Sequence, residues 1–410
     1  MPVSDLVVIG GGVIGSAVAF YAARRGVRVT LIDQPRRGRA SSASAGGLWP
    51  IGESVGLGCG VIFHKAQATN GLAPKTRDFP GALPAAFFDF AMKSNRLFPA
   101  LAEELRDLSG IDIEWERTSL LFILYDEGDE AFAEFVRARL PGSRRLMHAL
   151  SPEDLAREEP HVTRDNLGAV RFLGDDQVNP YRLADAFQAA AKALGATIVS
   201  REVTGVRVTG GKVSAVETSA GAIPCIAVVN AAGAWASQVG RMVGLDIPVC
   251  PVRGQILGTE TLPKTLSACL STSDCYLAQK GHGEIIIGST TEEAGFDTNV
   301  TPNALRSMAS GAIHAVPMLE DVLLKRSWSG FRPGTPDELP ILGPAEGMEG
   351  YFNACGHFRT GILNAPLTGL VLADLIVGEP PAVAVEPFLL SRFSVSHRDL
   401  TARPSLENLA

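Results

Sequence analysis

Three stretches of the chain carry residues whose type and spacing can do chemistry. The first is Gly10-Gly11-Gly12-Val13-Ile14-Gly15, which fits G-x-G-x-x-G with its glycines at 10, 12 and 15. Gly10 permits a tight turn, Gly12 lets the backbone approach a pyrophosphate, and Gly15 lets a helix pack closely on a strand. A helix opening there aims unpaired N–H groups and the positive end of its dipole at the phosphates. Asp33 follows Gly12 by 21 residues, where an acid accepts from a ribose 2′-hydroxyl and disfavours a 2′-phosphate. Alone the pattern also describes a glycine-rich turn without a ligand. The apolar run before it and the helical spacing after it favour the dinucleotide.

The second stretch, 228–235, is an apolar run ending in small residues that include Ala232 and Gly233. Small residues at the carboxyl end of a strand let a cofactor pass close to the backbone, and they serve a packed turn equally well. The third region holds Arg332 among turn formers at 328–337, then 353–362 with Gly356, His357, Arg359, Thr360, Gly361 and Ile362. A guanidinium grips a carboxylate through two parallel hydrogen bonds. Read from sequence alone, each arginine is more readily a surface ion-pair residue.

The elements that must position these residues read as an α/β chain. Residues 6–9 and 27–32 are apolar runs suited to buried strands, flanking a helix with Val13, Ile14, Ala17, Val18 and Tyr21 on one face. Residues 40–84 show no period, and so long a stretch in a compact protein is usually functional. Helices are expected over 85–110, 180–194 with Gly195 as its C-cap, 302–316 and 366–375. Strands are expected over 115–125, 169–172, 199–208, 212–218 and 226–230, with more in 246–290 around a turn at 281–283. The tail beyond 382 loses its pattern.

Composition narrows the class. The 410 residues suggest two connected domains. The formal net charge of −7 argues against a nucleic-acid partner. Six cysteines without a C-x-x-C pair give no metal ligand set and suit a reducing compartment. No apolar run reaches the roughly 18 residues of a spanning helix, and no secretory signal is evident. The expected location is cytoplasmic, with room for peripheral docking on the inner face of the cell membrane.

Taken in order, these blocks resemble the D-amino acid oxidase/glycine oxidase (DAO) family of FAD-dependent oxidoreductases. The resemblance is carried by V-I-G-G-G-V-I-G, by Ser41-Ser42-Ala43-Ser44-Ala45-Gly46-Gly47-Leu48-Trp49 and by V-V-N-A-A-G-A-W-A. Cys275-Tyr276, G-F-R-P-G-T-P-D-E-L-P-I-L-G at 330–343 and C-G-H-F-R-T-G-I-L at 355–363 complete it. Within the family, the block at 51–60 is similar to the FAD-bearing subunits of cyanide synthases and related multi-subunit amino acid dehydrogenases.

The resemblance implies a Rossmann-type FAD-binding domain discontinuous in sequence (1–84, 150–240 and 325–382). It also implies an antiparallel-sheet substrate domain (85–149 and 241–324) and a C-terminal tail at 383–410. It implies that Gly10, Gly12, Val13, Ile14, Gly15 and Asp33 hold the ADP half of a non-covalent FAD. Ser41, Ser42, Ala45, Gly46, Gly47 and Leu48 would line the ribityl chain and ring, with Val203 at the adenine. Gly356, His357, Arg359, Thr360, Gly361 and Ile362 would flank the isoalloxazine, beside Ala232 and Gly233. Arg332 would anchor a substrate carboxylate and Tyr276 would close the pocket. His357 is equally a structural histidine under the flavin.

The chemistry so implied is oxidation of the α C–N bond of a small amino acid, glycine or a D-amino acid, by hydride transfer to flavin N5. Electrons would pass to oxygen or to electron-transfer partner subunits. The loop at 52–62 would be either a docking surface, with a second flavin at a subunit interface, or a substrate lid. Cyclic or N-methyl amino acids such as D-hydroxyproline, proline or sarcosine fit the same residues. A non-catalytic FAD-binding assembly subunit and an NAD-linked dehydrogenase are the readings from other classes.

Overall fold

The computed structural model describes residues 4–54, 83–140 and 142–393. Two sheets of eight strands each organise them. In the first, Ser4–Ile9 lies between Val29–Asp33 and Ile223–Asn230, parallel to both. Thr197–Ser200 extends it on one side and Tyr351–Cys355 on the other, again parallel. Ile341–Pro344 closes the far edge antiparallel, and Val203–Thr209 with Lys212–Thr218 forms a hairpin off Ile223–Asn230. Helices Val13–Arg24, Ala85–Ser109, Pro180–Ala193 and Gly361–Val377 pack on one another beside this sheet. Their apolar faces and the strand residues Leu6, Val8 and Leu31 form the largest core.

The second sheet runs in the order 324–334, 250–261, 284–288, 276–279, 269–271, 120–123, 169–172, 147–150. Its middle strands are apolar at almost every position, yet the pleat still sorts their side chains by alternation. Leu121, Ile123, Leu277, Ile285 and Ile287 meet helix Pro302–Ala315 on one face. Leu120, Phe122, Tyr276, Ala278 and Ile286 form the opposite face with Trp49 and Ile51.

Several elements differ from the sequence reading. The run 199–208 is two strands, because the chain leaves the parallel sheet at Arg201 and enters the hairpin at Val203. Of 115–125, only Leu120–Ile123 is a strand, with Glu116 making an isolated bridge to Gln177. Strands Ala169–Phe172 and Leu324–Gly334 pair within the second sheet, although the expected dinucleotide-binding part includes 150–240 and 325–382. Helix Ala85–Ser109, in the expected substrate part 85–149, packs in the first core. Inside the patternless 40–84 stretch lie a 3₁₀ turn Ala40–Ser42, the short strand Gly47–Leu48 and helix Pro50–Ser54. Residues 55–84 apart from 83 and 84 lie outside the described residues, as does 394–410 of the tail.

The helix expected over 366–375 begins earlier, at Gly361, and carries Pro366 inside it. Proline cannot donate to the carbonyl four residues back and its ring crowds that turn, which is why the sequence reads as a helix that starts at Pro366. Ser94, wholly buried on the neighbouring helix, repairs the distorted turn. Its hydroxyl donates to Leu363 O at 2.7 Å and accepts from Leu367 N at 3.2 Å. Replacing Ser94 by Ala strands both backbone groups in the core, and the expected loss is about 1–3 kcal/mol. Thermal or urea unfolding of the FAD-loaded protein measures it, and an unchanged midpoint would show that the helix closes this turn unaided.

Candidate active site

The carboxyl ends of the parallel strands open on a single cleft, where open α/β sheets bind ligands. Its floor is the turn from Gly10 to Val13. A side chain on Gly15 would run into Gly10 O, and one on Gly10 into Ala231 O, so three backbones meet there in direct contact. Gly12 is the N-cap of helix Val13–Arg24 and has no side chain to cap it. Val13 N donates instead to Ser41 Oγ at 3.0 Å, which ties the 40–42 turn to the helix start. Asp33 accepts from Gly11 N at 2.9 Å through Oδ1, and its Oδ2 pairs with Arg39 Nη1 at 2.8 Å. The carboxylate therefore braces the glycine turn and also brings a cation to the cleft. Arg201 and Val203 line the same end.

At the other end of the cleft stand Trp49, Glu53, Tyr276, Arg332, His357 and Arg359. Arg332 lies on strand Leu324–Gly334, in register with Val252 of Cys250–Thr261. Its guanidinium lies directly over Gly254, where any Cβ would collide with it. Nη1 donates to Thr290 O at 2.9 Å and Nη2 to Ser289 Oγ at 2.6 Å, which fixes the plane of the fork.

Arg359 is held between two carboxylates, with Nε 3.1 Å from Glu53 Oε2 and Nη2 3.2 Å from Glu338 Oε2. Burial pushes the Glu53 carboxyl above the usual carboxylate range, against the pull of the Arg359 and Arg332 cations. Glu53 stands on helix Pro50–Ser54, whose first N–H groups, Ile51 N and Gly52 N, donate to the buried Asp175 carboxyl at 3.0 and 2.9 Å. Trp49 and Tyr276 pack edge to face, 5.6 Å between centroids, and form an aromatic wall of the cleft. Burial pushes the His357 imidazole down to about 3, and its Nε2 sits 3.0 Å from Thr368 Oγ1. That ring stays neutral and does not exchange protons near pH 7.

The residues singled out in the sequence largely converge. Gly10, Gly12, Val13, Ile14, Asp33, Ser41, Ala45, Gly47, Val203, Ala232 and Gly233 line this one cleft, as do Tyr276, Arg332, His357, Arg359, Gly361 and Ile362. Gly15, Ser42, Gly46, Leu48, Gly356 and Thr360 stand behind that lining. Ser42 O accepts from Tyr181 Oη and Trp328 Nε1 at 2.6 and 2.9 Å, while Thr360 Oγ1 donates to His357 O at 2.9 Å.

Sequence reasoning did not single out Arg39, Trp49 as a wall residue, or Glu53. The only signal for them is proximity to the glycine-rich 40–48 segment. From the 52–62 loop, residues 55–62 lie outside the described residues. Among the described residues no three His, Cys, Asp or Glu side chains gather to hold a metal ion, and no helix is long and apolar enough to cross a membrane.

A flavin dinucleotide fits this lining. Backbone without side chains would face the phosphates, Asp33 would face the ribose, and the cleft lining extends from there to Arg332 and Arg359. Residues 5–375 match the DAO family, described as FAD dependent oxidoreductase. Hydrogen cyanide synthase subunit HcnC of Pseudomonas protegens is 48% identical over 403 residues, which cover 96% of this chain and 97% of that protein. The glycine oxidase of Geobacillus kaustophilus is 33% identical over 95% of this chain and 97% of its own length. The crystal structure of glycine oxidase from that organism superposes with a TM-score of 0.84 at 32% identity, covering 95% of this chain and 98% of that one. L-proline dehydrogenase from P. horikoshii superposes with a TM-score of 0.77 at 26% identity, covering 96% and 98%. The chain belongs to the DAO family of FAD-dependent oxidoreductases, and FAD is its cofactor.

Proposed function

We propose that the chain oxidises the α C–N bond of a small amino acid, of the glycine or D-amino acid class, as the flavoprotein subunit of a multi-subunit dehydrogenase. The observation that carries this reading is the fixed guanidinium of Arg332 at the end of the cleft that His357, Arg359, Gly361 and Ile362 also line. The subunit role is supported by the 48% identity to a protein named as a subunit, against 33% to a glycine oxidase. Anaerobic titration of the FAD-loaded chain with a panel of amino acids tests the whole reading. Glycine or another small amino acid is expected to bleach the flavin. Reoxidation is expected to be fast with an artificial dye and to give little peroxide in air. Brisk peroxide release would assign a simple oxidase, and no bleaching by any amino acid would refute the activity.

When bound, FAD supplies a two-electron acceptor at its ring and does so without a covalent link to the chain. Gly10, Gly12, Val13, Ile14 and Asp33 hold its ADP half, Ser41, Ala45 and Gly47 its middle, and His357, Gly361 and Ile362 flank the ring through their backbone and buried side chains. Arg332 takes the substrate carboxylate. Its fork is already oriented by Thr290 O and Ser289 Oγ, so little conformational freedom is lost on binding. Replacing Arg332 by Ala leaves FAD bound and lowers kcat/KM by about 10²-fold or more, mainly through KM, since a buried charge partner is worth roughly 3–5 kcal/mol. Steady-state kinetics within twofold of the parent would remove Arg332 from the role.

Trp49 and Tyr276 set the size of the substrate. Each is at most 6% exposed, and their edge-to-face packing keeps either ring from swinging away. A wall of this kind suits glycine and crowds a side chain on Cα. Trp49→Ala is expected to raise the alanine-to-glycine ratio of kcat/KM by about 10-fold or more, the value of one methyl group in a shaped pocket. An unchanged ratio would place the limit on side-chain size elsewhere.

A further inference from the structure

We propose that Glu53 is the group that receives the substrate's α-ammonium and takes a proton from it, a role that rests on the amino acid reading above. Glu53 lines the cleft together with Arg332, yet it is 8% exposed. Its Oε2 lies 3.1 Å from Arg359 Nε, but the contact is off the line of a hydrogen bond. Among the described residues that oxygen accepts no hydrogen bond at all. A buried carboxylate oxygen without a donor is costly, and an ammonium group arriving in the cleft supplies the missing donor.

The charged groups around Glu53 support this. Arg359 faces it from the 356–361 segment, Arg332 from strand Leu324–Gly334, and Glu338 from the turn beyond that strand. Asp175 acts from behind, at the start of the helix that carries Glu53. Arg359 is shared with Glu338 at 3.2 Å, so its charge does not belong to Glu53 alone. A zwitterion finds Arg332 for its carboxylate and Glu53 for its ammonium. The amine must lose a proton before its lone pair can form the C=N bond. Glu53 takes that proton, breaking N–H and forming O–H, while bound FAD would accept the Cα hydrogen together with its electron pair. Burial pushes the carboxyl above the usual carboxylate range, against the pull of Arg359 and Arg332, which makes it a better proton acceptor than an exposed glutamate.

The test uses the FAD-loaded full chain, with glycine and acetate as probes in calorimetric titrations under anaerobic conditions. Acetate carries the carboxylate without the amine. Glu53→Gln is expected to weaken glycine by about 10²-fold, as for a truncated buried charge pair, and to leave acetate unweakened or bound more tightly. Glu53→Asp recovers part of the glycine affinity. Parallel changes for glycine and acetate, or no change in either, would overturn the proposal, because a merely structural role moves both ligands together.

Should Glu53→Gln fail to bind FAD, the wild type decides. As pH falls through an inflection above the ordinary carboxylate range, glycine weakens while acetate tightens. Two profiles moving in the same direction overturn the proposal. Failure of the amino acid reading looks different, since no amino acid then bleaches the flavin whatever the binding profiles show.

Discussion

Backbone meets backbone where strand Ser4–Ile9, helix Val13–Arg24 and strand Ile223–Asn230 come together, and no side chain fits between them. Gly15 lies against Gly10 O, Gly10 lies against Ala231 O, and Ala231 N donates to Ile9 O at 2.9 Å. This approach fixes where the helix begins relative to two strand ends, and so where its N–H groups point. A methyl group at either glycine would lever the helix off the sheet and open the floor of the cleft. Asp33 depends on the same contact, because it can reach Gly11 N only while the turn stays tight. This end of the cleft is thus set by an absence of atoms.

The opposite end of the cleft is set by docking the second sheet onto the 38–43 segment. Phe331 N donates to Gly38 O at 2.8 Å, and Trp328 Nε1 donates to Ser42 O at 2.9 Å. The two residues flank the strand position of Gly330, whose missing side chain makes room for Ala43. Arg332 follows at once on the same strand, so the register that binds the sheet to the 38–43 segment also places the guanidinium. Its partner strand contributes Gly254, the bare position on which the fork lies flat. Loop and arginine are therefore one rigid unit, although they stand nearly 300 residues apart in sequence.

How much of this can be read from the chain follows from how local the physics is. The first βαβ unit is fully legible, because strand, glycine turn, helix and acid all interact within residues 4–33. Arg332 and the 355–363 block are legible as types in a pattern, but their partners are not. Thr290, Ser289 and Gly254 reach Arg332 only through sheet register. Pro366 reads as the start of a helix, but the helix already runs from Gly361, and Ser94, from a distant segment, serves the backbone groups beside the proline. Trp49 and Glu53 sit in a stretch whose short elements have no period to detect. Their burial comes from Tyr276, Asp175 and Arg359, none of which a local reading can supply.

Charge placement connects the two ends of the site to the kind of ligand it accepts. Arg332 and Arg359 bring two positive charges to the inner end of the cleft, and Glu53 and Glu338 bring two negative ones. In a water-poor site the cost of a ligand's net charge is high, and opposite charges repay it only in close geometry. A zwitterionic amino acid leaves this balance at zero and finds one partner of each sign. A simple carboxylate adds an uncompensated negative charge beside Glu53, and an amine without a carboxylate adds a positive one beside Arg332. The buried arrangement therefore offers one partner of each sign to a zwitterion, and the same low dielectric that penalises an unmatched charge holds the Glu53 carboxyl above the usual carboxylate range.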